Sequence, residues 1–372
     1  MSAKYGVNIE LYNGSNNPYK INNERPIAII GDDDKLAQGL HLYNDILEAL
    51  KQVGKGSIKD TLEDLKATGL HSQIVLSVFK KQEDQDDESD ENETQNNKFC
   101  TNAIDELKKC EATLGVKPKF FLAVGYNDNG VHEKLKQIAA YLRGVYAIEL
   151  NEQSESQINL KLQTYSTKTA IITYQKVIRV DKAVRPASAF IIALYAKTMS
   201  ETEYGFSQSF SNRVIDGIIG IQDKVELIQG EDCEADRLRD KGVTLIIAND
   251  GLRAWGGETC NDDLFSSIHT YVIFYTAIDT IFKAQARAID KRMRDVLKNV
   301  VDSLEAFYLR LQNNNVVVGF EITIPKELNS NETISEGIVY IRHNVQEMPL
   351  IKRIVNRIYR VTDYSQKLIQ EL

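Results

Sequence analysis

The residues able to do acid–base, nucleophilic or metal chemistry are few and scattered. The five histidines are His41, His71, His132, His269 and His343, and the four cysteines are Cys100, Cys110, Cys233 and Cys260. A nucleophilic triad needs a Ser or Cys, a His and an orienting acid that converge. None of these histidines sits in a recognisable nucleophile signature, and Phe206-Ser207-Gln208-Ser209 is no GxSxG elbow. The cysteine spacings match no zinc pattern and are too sparse for a disulfide scaffold, so reduced thiols are expected. Asp32-Asp33-Asp34 invites a metal reading, but no partner carboxylates stand at ligand spacing, and acids also suit a helix N-terminus. No GxGxxG follows a strand and no GxxxxGK[ST] occurs, and Gly217-Ile218-Ile219-Gly220 is too apolar to cradle phosphate. The expectation is a protein without catalytic residues, metal or cofactor.

One cluster points outward. Lys283, Arg287, Lys291, Arg292, Arg294 and Lys298 are opposed only by Asp290 and Asp295 across residues 283–298. The whole chain carries a formal charge of −8, so this basic run is exceptional within it. It reads either as the solvated face of a helix or as a dock for an acidic partner, with complementary potentials setting the orientation. The acidic balance argues against a general nucleic-acid binder. No basic–apolar–small leader pattern opens the chain, and no apolar run approaches a membrane span, so no membrane insertion is expected.

The elements that must position these residues change character along the chain. At 372 residues, two or three domains are expected. In residues 1–25, Val7, Ile9 and Leu11 alternate as in a strand before the polar turn at Asn13–Pro18. A lone strand cannot bury its apolar face, so it pairs either within its own domain or with a neighbour's sheet edge. Residues 26–31 read as a buried strand, 40–53 and 58–68 as helices, and 73–79 as a strand. Residues 82–97 (QEDQDDESDENETQNN) repel one another and bury nothing, which predicts a solvated or disordered insertion. From residue 103 the pattern alternates: helix 103–114, strand 119–124, helix 131–142, strand 145–150, helix 153–163, strand 169–174, a helix over 186–197 opened by Pro186, and strand 243–248. That spacing implies βαβ units and a mainly parallel sheet. Residues 206–225 read as a surface excursion.

Residues 264–311 carry apolar residues at three- and four-residue steps, with a register change near 288–293, and so predict two amphipathic helices. Antiparallel strands over 316–324 and 338–343 should follow. Residues 350–361 mix Ile354, Val355, Ile358 and Tyr359 with Lys352, Arg353, Arg357 and Arg360, and fit either a helix or an edge strand; the alternation of basic with apolar residues favours an edge that pairs with another chain. Between the two halves, residues 242–263 (GVTLIIANDGLRAWGGETCNDD) read strand, tight turn, short strand, Gly turn and helix start. Trp255, the only tryptophan, is the expected packing anchor there. Gly256-Gly257 are expected to set the angle between the halves.

These pieces, in this order, resemble the tail sheath proteins of contractile bacteriophages and R-type pyocins. The resemblance rests on four stretches: Tyr5-Gly6-Val7 with Arg25–Gly31; Gly115–Pro118 before Phe120–Ala123; Asn249–Cys260 with the acidic pair Asp262-Asp263; and Ile289–Lys291 with Phe320-Glu321. It spans nearly the whole chain and leaves out residues 82–97. Leu252 and Ala254 stand where the family usually has aromatics, and Gly257-Glu258 where it has a Ser-Arg pair.

The resemblance implies an α/β fold: a subtilisin-like α/β middle domain without protease chemistry, an α+β C-terminal domain, and extended N- and C-terminal arms. The corresponding division is 1–25 for the N-terminal arm, 26–117 for the first strand and helical region, 118–263 for the subtilisin-like domain, 264–350 for a tube-facing domain and 351–372 for the C-terminal arm. It implies a structural subunit that forms hexameric rings stacked helically around an inner tail tube protein. Contraction would drive the tube through a cell envelope. Val7, Ile9, Leu11, Ile354, Ile358 and Tyr359 would then serve intersubunit arms, and Lys283, Arg287, Lys291 and Arg294 would dock on the tube. Implied partners are further copies of the chain, the tube, and baseplate and terminator proteins, in a virion tail assembled in the bacterial host cytoplasm. Two other readings stay open: a degenerate subtilisin-like or α/β-hydrolase-like enzyme, and the sheath of a secretion-type contractile injection system.

Overall fold

The computed structural model describes residues 19–22, 24–81, 90–260, 266–362 and 364, without the side chains of 90–92. In chain order the first elements are β1 (Ile27–Asp32), β2 (Gly39–Tyr43), α1 (Ile46–Gln52), α2 (Ser57–Ala67), β3 (Ile74–Phe79), α3 (Asp90–Glu106) and α4 (Cys110–Leu114). Then come β4 (Phe120–Leu122), α5 (Asn129–Leu142), β5 (Val145–Glu149), α6 (Glu155–Leu162) and β6 (Ala170–Thr173). These strands form one six-stranded sheet in the order β2-β3-β1-β4-β5-β6. All its pairings are parallel except β2 with β3.

The sheet is covered on both faces, and β1 shows why. Successive side chains of a strand point to opposite faces. Ile27 and Ile29 enter one apolar cluster with α1 and α2, while Ala28 and Ile30 enter the other with α3 and α5. A strand buried on both faces has to be apolar at every position, as Ile27-Ala28-Ile29-Ile30 is. Because β1 and β3 precede position 118 and β4 follows it, the sheet runs straight across the division expected between 26–117 and 118–263.

Several expectations need correction here. Residues 39–43 are not helical; they pair antiparallel with β3 at the sheet edge, Leu40 opposite Ser77 and Leu42 opposite Val75. The acidic stretch is not wholly a loop, because α3 begins at Asp90. Its later turns carry Cys100, Ala103 and Ile104 into the core, and that packing holds the polar first turns in helical register. Residues 82–89 lie outside the described residues.

The chain continues with β7 (Lys176–Arg179), β8 (Val184–Pro186), α7 (Ser188–Ser200) and β9 (Ile218–Ile221), and β8-β7-β9 form a separate antiparallel sheet. Pro186 therefore ends a strand and does not open the helix. α7 is buried on almost every side from Ser188 to Ala196 and fills the first face of the large sheet. The excursion after it is not all surface, since Phe206, Phe210, Ile215 and Ile221 are buried.

Last come α8 (Glu234–Asp240), β10 (Leu245–Ala248), β11 (Leu252–Trp255), α9 (Ile268–Gln285), α10 (Met293–Asn313), β12 (Val317–Thr323), α11 (Asn331–Ser335) and β13 (Arg342–Glu347). β10 and β11 form a hairpin, joined to the large sheet by the single parallel bridge of Val243 to Ile172. β12 and β13 pair antiparallel, with the second strand four residues later than expected. On α10, Leu304, Phe307, Tyr308 and Leu311 recur at helical spacing and are buried. Tyr19 stacks on Phe307 at 5.5 Å between ring centroids, and Arg310 donates to the Tyr19 carbonyl. Tyr19, Ile21 and Arg25 are thus part of the body, although they fall within the expected arm 1–25.

Candidate assembly interface

The basic cluster lies where α9 and α10 leave the body. The first turns of α9, Ile268 to Ile273, are buried, whereas Ile278, Phe282 and Ile289 are exposed. The turn between the helices places Asp290 at a φ of 61°. Lys283, Arg287, Lys291, Arg292, Arg294 and Lys298 are all exposed, and none has a carboxylate within 4 Å among the described residues. The expected candidates Lys283, Arg287, Lys291 and Arg294 therefore share one projecting tip with three apolar side chains. The Arg143 guanidinium reaches Phe282 from the body, 4.5 Å from its ring centroid.

The residues expected at the junction occupy the link between hairpin and helix. Trp255 Nε1 donates to Asp236 Oδ1 at 3.0 Å, and the Arg239 guanidinium lies 4.6 Å from the indole centroid. Trp255 is thereby pinned to α8, within the α/β body. Gly256 has a φ of 153°, and a Cβ there would stand 2.7 Å from Thr244 Cα, so the close strand crossing requires glycine. The Gly257 carbonyl accepts from Ile268 N at 2.9 Å, the first residue of α9. Residues 261–265, including Asp262 and Asp263, lie outside the described residues.

Beside this junction runs a groove of about 1180 Å³. One wall holds Trp255, Gly256, Gly257 and Glu258; the other is the chain after β13, from Glu347 to Asn356. Glu258 accepts from Arg239 at 2.8 and 3.1 Å and pairs with Lys352 at 3.3 Å. Burial pushes its pKa up, but Arg239 and then Lys352 outweigh that and hold it below the usual carboxylate range. Thr270 donates to Glu347 at 3.0 Å.

Beyond these ties the chain from Leu350 to Thr362 is exposed and belongs to no helix or strand. The edge strand expected to pair with another chain is not formed here, since among the described residues no sheet offers a ladder to it. Ile354, Ile358 and Tyr359 stand in solvent, Ile358 at 93% exposure. Val7, Ile9 and Leu11 of the expected N-terminal arm lie outside the described residues.

The carboxyl ends of the parallel strands, the usual place for a site in such folds, hold a structural network. Asp32 accepts from Ser57 Oγ at 2.6 Å and Tyr126 OH at 2.8 Å. Burial pushes Asp32 up, and these hydrogen bonds more than offset it. Asp33 caps Lys35 N and Leu36 N and reaches Gly54 N, while Asp34 accepts from Lys55 N. Ser188 donates to Glu149. Four of the five histidines have partners away from these strand ends, and His269 is buried in α9: His132 bonds Tyr146 OH at 3.0 Å, and His343 bonds Tyr308 OH at 3.1 Å. His41 reaches the Ala37 carbonyl, and His71 stands 3.7 Å from Asp45. Cys100, Cys110 and Cys233 are buried, and burial pushes the Cys110 thiol up to about 12. Among the described residues no three His, Cys, Asp or Glu side chains are placed to hold a metal, and no helix is long and apolar enough to cross a membrane.

What remains is a body with two kinds of projecting, unsatisfied surface. No family profile matches the chain. In sequence it is 26% identical over 344 residues to the tail sheath protein of Escherichia phage P2, covering 87% of this chain and 85% of that protein. The chain is a homologue of phage tail sheath proteins. In fold it is similar to the sheath of an extracellular contractile injection system in its contracted state, with a TM-score of 0.72 and 15% identity over 98% of this chain and 99% of that one. It is also similar to the contracted helical sheath of the anti-feeding prophage, with a TM-score of 0.67 and 16% identity over 97% of this chain and 100% of that one. The tail sheath homologues are structural proteins.

Proposed function

We propose that this chain is the structural subunit of a contractile tail sheath. Copies would stack as hexameric rings around an inner tail tube, and their contraction would drive the tube through a cell envelope. The observation that carries the reading is end-to-end coverage. Contracted sheath chains align over 97–98% of this one, so no separate unit is left over for another activity. The parallel sheet with helices on both faces would be the subtilisin-like middle domain that the family resemblance implies. The exposed segment 350–362 suits strand addition to a neighbouring copy, which would supply the missing ladder. Ile354, Ile358 and Tyr359 would bury their side chains in that contact, with Val7, Ile9 and Leu11 doing the same at the other end. Lys283, Arg287, Lys291 and Arg294 would face an acidic tube surface.

Baseplate and terminator proteins would bound the assembly, in a virion or tailocin tail built in the host cytoplasm. Kinship in fold with extracellular injection systems favours a second setting for the same subunit, the sheath of a secretion-type system. Electron microscopy of the full chain co-expressed with its tube protein tests the proposal. Hollow striated sleeves are expected; monodisperse monomers under every assembly condition would refute it.

A further inference from the structure

At the amino-terminal edge of the large sheet, α9 lies across the residues that lead into β4 and β5. Four cations meet there: Arg25 ahead of β1, Lys117 and Lys119 ahead of β4, and Arg143 ahead of β5. Among the described residues one carboxylate faces them. Asp279 of α9 accepts from Arg143 at 2.6 Å, from Lys117 at 3.0 Å and from Lys119. Both its oxygens are taken by these three. Arg25 is 7% exposed, and its Nη1 donates to the backbone carbonyls of Asn22 and Glu24. Its Nη2 is buried with no hydrogen-bond partner among the described residues.

Arg25, Lys119 and Arg143 line one small, half-open cavity, flanked by Val272 and Tyr275 of α9 and by Met199. Its volume is about 20 Å³, room for a single water-sized occupant. The charge inside is unbalanced. Burial brings Lys119 down to about 8 although Asp279 pulls the other way, and Lys117 and Arg25 add to the depression. Burial likewise brings Arg25 down to about 10. A neutral water would leave that excess of positive charge in place, whereas a small anion would offset it and accept from the free Nη2.

We propose that this cavity is a binding site for a monatomic anion of chloride's size, bridging Arg25 to the Lys119–Arg143–Asp279 cluster beneath α9. The anion would fasten the root of α9 to the sheet. The inference concerns the single subunit and does not depend on assembly.

The test is a melting series of the full chain at constant ionic strength, with chloride or bromide replacing isethionate, and Arg25→Gln beside the wild type. A saturable halide-specific rise of about 2–4 °C, absent in R25Q, is expected. In crystals grown in bromide, an anomalous peak between Arg25 and Lys119 is expected. Equal melting temperatures in all salts would overturn the proposal, as would a cavity without bromide. Should R25Q fail to fold, the wild-type halide series and the bromide peak still decide the matter.

Discussion

The body and the periphery of this molecule treat charge in opposite ways. In the body, Asp64 is fully buried and accepts from Arg179 at 3.0 Å and from Arg185 at 2.8 Å. Asp279 is shared by three cations, and Glu258 is held by Arg239. At the tip of α9 and α10, six cations have no carboxylate within reach among the described residues, and the segment 350–362 leaves Ile354, Ile358 and Tyr359 in solvent. A buried charge without a partner is costly, and the body accordingly gives its buried carboxylates cationic partners. An exposed charge costs little and is free to meet another molecule. The contrast separates the residues that make the subunit from those available to join subunits together.

The sharpest way to break this division is to strike the body where it meets the C-terminal half. Phe307→Ala removes the ring that stacks on Tyr19 and leaves a cavity. A loss of about 3–5 kcal/mol of unfolding free energy is expected by denaturant titration. A loss below about 1 kcal/mol would mean that α10 is not part of the cooperative body.

Next in size is an acid effect. His132 is buried against Tyr146, and desolvation brings its pKa down to about 4. Between pH 6.5 and about 4 the unfolded chain binds a proton that the folded chain does not. Stability contributed at neutral pH is therefore lost as pH falls through that window, by up to roughly 3 kcal/mol, and the loss levels off below it. His132→Asn should flatten this part of the pH profile; an unchanged slope would assign it to other groups.

A smaller effect is expected at the junction. Gly256→Ala sets a Cβ against Thr244 and should cost about 1–3 kcal/mol. Wild-type stability in that variant would show that the strand crossing yields easily. Smallest of all, charge reversal of Lys283, Arg287 and Lys291 should leave subunit stability within about 0.5 kcal/mol. It should nevertheless weaken tube-templated assembly, and the difference from wild type should shrink as salt rises. Unaltered assembly at low salt would remove these residues from the tube contact.

How legible each region was in the sequence follows the same division. β1 and β3 were plain because a strand buried on both faces is one unbroken apolar run. The two helices over 268–313 were plain because their apolar residues keep a helical period, and the break at Asp290 interrupts it. Gly39–Tyr43 was not, because Leu40, Leu47 and Leu50 also fit a helix; the strand forms only because β3 offers an edge to pair with. α3 began earlier than its acidic composition suggests, since the helix is held by Cys100 and Ile104 well downstream. Pro186 suits a helix start as well as a strand end, and only β7 decides between them.

The Arg25–Asp279 cluster left no local signal at all. Its members stand more than a hundred residues from Asp279 along the chain, and only the fold makes them neighbours. Residues 350–362 form no strand because a strand needs a partner that no sheet among the described residues supplies.

The central claim is that the body folds by itself while the projecting surfaces carry assembly. Removing residues 353–372 tests it most directly, with electron microscopy and circular dichroism on the same preparation. The account predicts a folded subunit with native melting behaviour that forms no sleeves where the full chain does. Sleeves from the shortened chain, or a shortened chain that no longer folds, would contradict it.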